Sequence, residues 1–190
     1  MPERNLEFGK YGAQGLKGHE AVARRLDALA GFVATPITQR RGLLARPHYL
    51  TRTEHARRAR AAGPTVTDRT LKAWLAGRRG PSRGNLENIV AAYRSVRRHN
   101  VARCLLARLN REGRGTRVEF HPVNQSQVDR PRQRVVEYRT LNVRHRDRIV
   151  EAWARDDAAA LDEAWVNDAT VDLGSEWGQY EYVTDIGFAA

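Results

Sequence analysis

Hydrophobic positions along this chain repeat with a helical period over residues 17–33 and in segments between 51 and 109, and the period changes after Gly115; residues 1–16 read as irregular. From Lys17 to Val33, Val22, Leu26, Leu29 and Val33 share one face, which predicts a helix. Residues 34–50 contain Gly42, Pro36, Pro47 and the pair Arg40-Arg41 and read as a long connection with one turn around Leu43-Leu44, either an insertion or an arm that tracks a phosphate backbone. Three helical patterns then follow between Thr51 and Tyr93. Thr51-Arg52-Thr53-Glu54 has the form of a capping box, and that helix closes at Gly63-Pro64. The next takes Thr67 as N-cap and Gly77 as its stop, with Leu71, Trp74 and Leu75 on one face. The third takes Ser82 as N-cap and places Leu86, Ile89, Val90 and Tyr93 at i, i+3, i+4 and i+7; it continues or restarts through Val101, Cys104, Leu105 and Leu109.

Beyond Gly115, Arg117–Phe120 and Arg134–Tyr138 read as two short strands joined by a polar loop between Pro122 and Pro131. Helices are predicted over Val143–Ala154 and Ala158–Val166. Tyr180, Tyr182, Thr184 and Ile186 would share one face of a final strand. The expected fold is mainly α with a small β element. It comprises a helix-turn-helix domain over residues 1–112 and a smaller mixed α+β domain over 113–190.

Charge adds direction. The chain has 33 Lys and Arg against 22 Asp and Glu, a formal +11, and its only lysines are Lys10, Lys17 and Lys72. Residues 1–155 carry +20 and residues 156–190 carry −9. A basic body with an acidic end points to nucleic acid as partner. The end would contact a protein partner, a second copy of the chain, or the basic face. Cys104 is the single cysteine, so no internal disulfide and no multi-thiolate zinc site can form. No apolar run reaches the roughly 18 residues of a membrane span. A cytoplasmic, nucleoid-associated protein without a membrane partner is expected.

Two helices across a short Gly-containing turn form a helix-turn-helix, whose second helix enters the major groove. Thr67, Thr70-Leu71, Trp74, Gly77, Arg78-Arg79 and Pro81-Ser82 match the pattern of the repressor-type helix-turn-helix family, which this stretch resembles. The turn Gly63–Val66 is longer than the family's usual one. The resemblance implies sequence-specific binding of double-stranded DNA, by a regulator that often reads two half-sites as a dimer. Thr67, Arg69, Thr70 and Lys72 would reach base edges. Arg78 and Arg79 would hold phosphates, with Arg52 and Arg83 completing the DNA-binding set. The competing structural interpretation is a helical bundle with a solvated basic face. Trp74 shares a face with Leu71 and Leu75 and reads as core, and Tyr93 as packing.

The order of a basic helix-turn-helix half, strand, Pro-containing loop, helices and final strand also resembles the terminal proteins of linear actinobacterial replicons. That resemblance implies telomere binding and covalent joining to a DNA 5′ end through a hydroxyl. Ser126, Tyr138 and Thr140 lie in the relevant region, and none stands out. A third alternative is a DNA enzyme using Asp156-Asp157 or Asp162-Glu163, although Asp156 and Asp157 read better as a helix start. The six histidines lack metal-site spacing, and no P-loop, dinucleotide or nucleophile-elbow motif occurs. The expectation is therefore a DNA-binding protein that is not an enzyme and needs no metal or cofactor.

Overall fold

A computed structural model describes residues 8–52, 67–110, 115–143, 147–170 and 180–189. The fold is mainly helical, with a small antiparallel sheet. The chain divides into two compact units, one of residues 30–101 and one of residues 1–29 with 102–190. The boundary expected at residue 112 lies outside the described residues.

In the unit of residues 30–101, the stretch expected as a connection is instead a helix, α2 (Arg40–Leu50). Its two apparent breakers have other uses. A Cβ on Gly42 would collide with Pro36 O, so only glycine permits this close approach. Pro47 sits late in the helix, where its ring removes one backbone donor. Buried Arg46 secures the segment by donating to Gly42 O (2.8 Å), Thr35 O (3.0 Å) and Val33 O (3.0 Å). Thr51, expected to open a helix, closes α2: its N–H donates to Pro47 O and its hydroxyl to His48 O. The helix-turn-helix's expected first helix and its turn lie outside the described residues.

Two further helices of this unit follow the predicted pattern. They are α3 (Asp68–Leu75) and α4 (Arg83–Asn110), the latter an uninterrupted helix that contributes Arg83–Val101 here. Ser82 Oγ accepts from Asn85 N–H at 3.3 Å, as an N-cap should. The core gathers Leu50, Ala92, Tyr93 and Val96, with Phe32, Val33 and Tyr49 packed against them. Tyr93 is 3% exposed, and its hydroxyl accepts from Val33 N–H at 3.1 Å. Val33 therefore lies beyond the first helix, which ends earlier than its periodicity predicts.

The other unit contains that helix, α1 (Gly18–Ala30), stopped by Gly31 at φ +62°. Three strands form its sheet. The central one, β2 (Thr116–His121), runs antiparallel to both β3 (Arg139–Val143) and β5 (Asp185–Ala189). Thr116, Val118 and Phe120 alternate into the core. The strand expected at Arg134–Tyr138 is displaced to β3. Ladder partners are set by β2, whose Phe120 pairs with Arg139 and Thr116 with Val143. The β-branched pair Val135-Val136 stays outside the ladder, because propensity without a partner strand does not make a strand.

Helices α5 (Asp147–Arg155) and α6 (Ala158–Ala164) also belong to this unit. The second is shorter than expected and widens into a π segment at Trp165–Ala169. Trp165 is buried; its indole N–H donates to Tyr180 O at 3.1 Å. A Cβ on Gly18 would overlap the Trp165 indole. Trp153 donates to Asp27 Oδ1 at 2.8 Å. The last strand does not alternate straight through as expected. Short β4 (Tyr182–Val183) pairs with β1 (Leu16–Lys17), and the chain then breaks at Thr184 to join β2 as β5. Thr184 is exposed and its hydroxyl donates to Pro122 O at 2.9 Å, while Val183 and Ile186 are buried. The void between sheet and helices is about 10 Å³ and is lined by residues such as Val22, Leu26, Phe120 and Val150. It is too small and apolar for a ligand.

Candidate nucleic-acid interface

Helix α3 is short, so its ends must be well capped to persist. Thr67 Oγ1 accepts from Thr70 N–H at 3.3 Å and lies 3.0 Å from Thr70 Oγ1. At the other end Gly77 adopts φ +72°. Gly77 N–H donates to Trp74 O and Arg78 N–H to Ala73 O, each at 3.0 Å, the paired bonds of a Schellman stop. Trp74 is 3% exposed, with Leu71 and Leu75 half-buried beside it. Tryptophan is therefore core here, and the opposite face of α3 is left to polar residues.

That face carries Arg69 and Lys72, both exposed, with Thr67 exposed and Thr70 half-buried at the N-terminal end. Thr67's hydroxyl already serves as the helix cap, so Arg69 and Lys72 are the side chains of α3 best disposed to reach outward. Arg78, Arg79, Arg83 and Arg52 are exposed as well. Arg83 Nε lies 3.2 Å from Glu87 Oε1 in an open i,i+4 pair, which contributes only a few tenths of a kcal/mol.

One further exposed cation is Arg40, in the stretch expected as a connection or phosphate-tracking arm. Arg40 Nη2 lies 3.5 Å from the position a Cβ would take on Gly77. The first residue of α2 therefore stands beside the last turn of α3, next in chain to Arg78 and Arg79. A cation also suits the partial negative charge of a helix C-terminus. Other arginines are drawn inward. Arg46 is bound by three carbonyls, and Arg97 donates to Ala30 O from Nε (3.1 Å) and Nη2 (2.8 Å).

The compact division sharpens the charge distribution. Residues 30–101 hold fifteen Lys and Arg and three Asp and Glu, a net +12; the rest of the chain holds eighteen and nineteen, a net −1. Several of the described C-terminal acidic residues are built into their unit. Asp157 caps α6 by accepting from Ala160 N–H at 3.0 Å. Asp162 Oδ1 meets His19 Nδ1 at 2.7 Å, and Arg148 pairs with Asp168 at 3.2 Å and Glu163 at 3.9 Å. Of the three candidate hydroxyls, Ser126 is exposed, Thr140 is half-buried in β3 opposite Glu119, and Tyr138 is 48% exposed. Among the described residues, no three His, Cys, Asp or Glu side chains converge as metal ligands, and no helix is long and apolar enough to cross a membrane. No family model, curated protein or solved structure matches the chain.

Proposed function

We propose that residues 30–101 bind double-stranded DNA in the manner of a helix-turn-helix domain, with α3 as the recognition helix, and that the protein acts as a transcriptional regulator. The observation that carries this is the exposed Arg69–Lys72 face on a unit of net +12. Such a charge favours association with a polyanion such as nucleic acid. Arg69 and Lys72 would read guanine edges, and Arg78, Arg79 and Arg83 would hold phosphates. Selection of bound sequences from random duplex DNA, followed by footprinting, tests the proposal. A defined site is expected, and Arg69→Ala with Lys72→Ala should cost about 1–3 kcal/mol for each base pair no longer read and relax the preference. Unchanged affinity for every sequence in the double variant would refute it.

A second reading, a terminal protein of a linear replicon, draws on Tyr138, which like Ser126 is exposed and which stands next to the exposed Arg139. Its hydroxyl oxygen would attack the α-phosphorus of a nucleoside triphosphate. A tyrosyl–phosphate bond forms, pyrophosphate leaves, and the hydroxyl proton passes to solvent. Labelled nucleotide that stays on the denatured wild-type chain but not on Tyr138→Phe, in the presence of polymerase and Mg²⁺, is the expected result. No label on either chain would count against this reading.

A further inference from the structure

Three large apolar side chains stay exposed among the described residues: Tyr11 at 41%, Val135 at 86% and Tyr138 at 48%. They do not scatter. Val135 and Tyr138 lie on the loop between β2 and β3, and the turn that carries Tyr11 is tied to the same loop. Gln14 and Asn124 exchange two backbone hydrogen bonds of 2.9 Å. The Arg132 guanidinium lies 4.3 Å from the centroid of the Tyr11 ring.

The loop is held in shape by side chains that substitute for a neighbouring strand. Gln125 Nε2 donates to Arg134 O and its Oε1 accepts from Arg134 N–H, both at 2.8 Å. Gln133 Nε2 donates to Val128 O at 2.8 Å, and Tyr180 donates to Glu137 O at 2.7 Å. With these backbone groups satisfied, Arg130, Arg132, Arg134 and Arg139 stand exposed between the apolar residues. The carboxylate in this run, Glu137, lies 3.6 Å from Arg139. The surrounding unit is close to neutral, so this concentration of cations is local.

Arginines interleaved with exposed rings on an ordered loop combine an electrostatic track for phosphates with flat faces for stacking. Duplex DNA hides its base faces, and a single strand offers them. We propose that the Arg130–Arg139 loop binds single-stranded nucleic acid, with phosphates on Arg130, Arg132 and Arg134 and a base stacked on Tyr138. The surface lies wholly within the unit of residues 1–29 and 102–190 and shares no residue with the duplex site on α3. It stands on its own observations.

Fluorescence anisotropy of the full chain with a labelled single-stranded oligonucleotide, and in parallel with a duplex, tests this. Tyr138→Ala should weaken single-strand binding about tenfold, while Tyr138→Phe, which keeps the ring, should bind as the wild type does. Arg132→Gln with Arg134→Gln should lower the slope of log affinity against log salt by about 1.4 for the single strand. Duplex affinity should stay unchanged in all three. The idea is overturned if Tyr138→Ala and the double variant leave single-strand binding intact, or weaken both ligands equally. Loss of binding to anionic vesicles, with single-strand binding kept, overturns it in favour of a membrane surface. If Tyr138→Ala does not fold, the double variant and Tyr138→Phe decide. A wild type that binds no duplex at all counts against the role of α3 and not against this surface, which is judged on the single strand.

Discussion

The two compact units hold their polar groups in opposite ways. In residues 30–101, arginines are fastened to backbone carbonyls: Arg46 to Val33, Thr35 and Gly42, and Arg97 to Ala30. Arginines also lie over aromatic rings, Arg46 over Tyr93 at 5.6 Å and Arg97 over Tyr49 at 5.6 Å. In the other unit, carboxylates take these structural roles. Asp27 accepts from the Trp153 indole, Asp162 meets His19, Asp157 caps a helix and Asp168 pairs with Arg148. Backbone carbonyls and rings secure a guanidinium without cancelling its charge. Asp168 offsets the charge of Arg148, whereas Asp27 and Asp157 accept from neutral N–H groups and keep their own charge. By composition the first unit carries +12 and the second −1, and the carbonyl-bound Arg46 and Arg97 of the first keep their charge. The contrast shows how a chain can keep a strongly cationic unit without giving up a packed core.

The largest expected effect tests the apolar side of this contrast. Trp165→Ala should cost about 3–5 kcal/mol in urea unfolding, because it opens a cavity beside Gly18 and frees Tyr180 O. A loss under about 1 kcal/mol would show that Trp165 does not organise its unit. Next, Arg46→Met should cost about 2–3 kcal/mol, since three carbonyls lose a charged donor. Arg46→Lys should not restore the loss, because one ammonium cannot span the guanidinium's fork. Full rescue by Lys would mean that charge alone matters there.

A smaller effect separates exposed cations by unit. Arg40→Ala should lower the salt slope of duplex binding by about 0.9, the value of one phosphate contact, while Arg130→Ala leaves that slope unchanged. Equal changes would erase the functional distinction between the units. The smallest concerns helix ends, where no difference between units is expected. Thr67→Ala and Asp157→Ala should each cost about 1 kcal/mol by thermal unfolding, and Thr67→Ser should retain the cap.

Much of the site was legible because it is local. The Thr67 cap, the Gly77 stop, the Ser82 cap and the buried Trp74 depend on neighbours within a turn or two, and their residue types declare them. The β2 alternation and the helix of α5 were legible for the same reason. Residues 34–50 were not. Gly42 and Pro47 signal breaks by local rules, while the close approach to Pro36 and the carbonyl grip of Arg46 that support α2 involve residues outside its pattern. The displaced strand has the same origin, since Val135-Val136 has strand propensity but the ladder of β2 falls on Arg139–Val143. The mainly helical class with a small sheet was legible. Where the charge would gather was legible only in part, since halves of a sequence need not be halves of a fold.

By itself, then, the sequence determined the helix ends, the apolar face of α3, the absence of an internal disulfide and the cationic excess. These follow from residue chemistry at short range and from counting. Tertiary structure alone decided that Arg40 stands beside Gly77 and that Asp162 and Asp168 pair with His19 and Arg148. It also decided that Tyr11 meets the Arg130–Arg139 loop. Each of these joins residues far apart along the chain. Such meetings depend on how whole elements pack, and no local pattern records them.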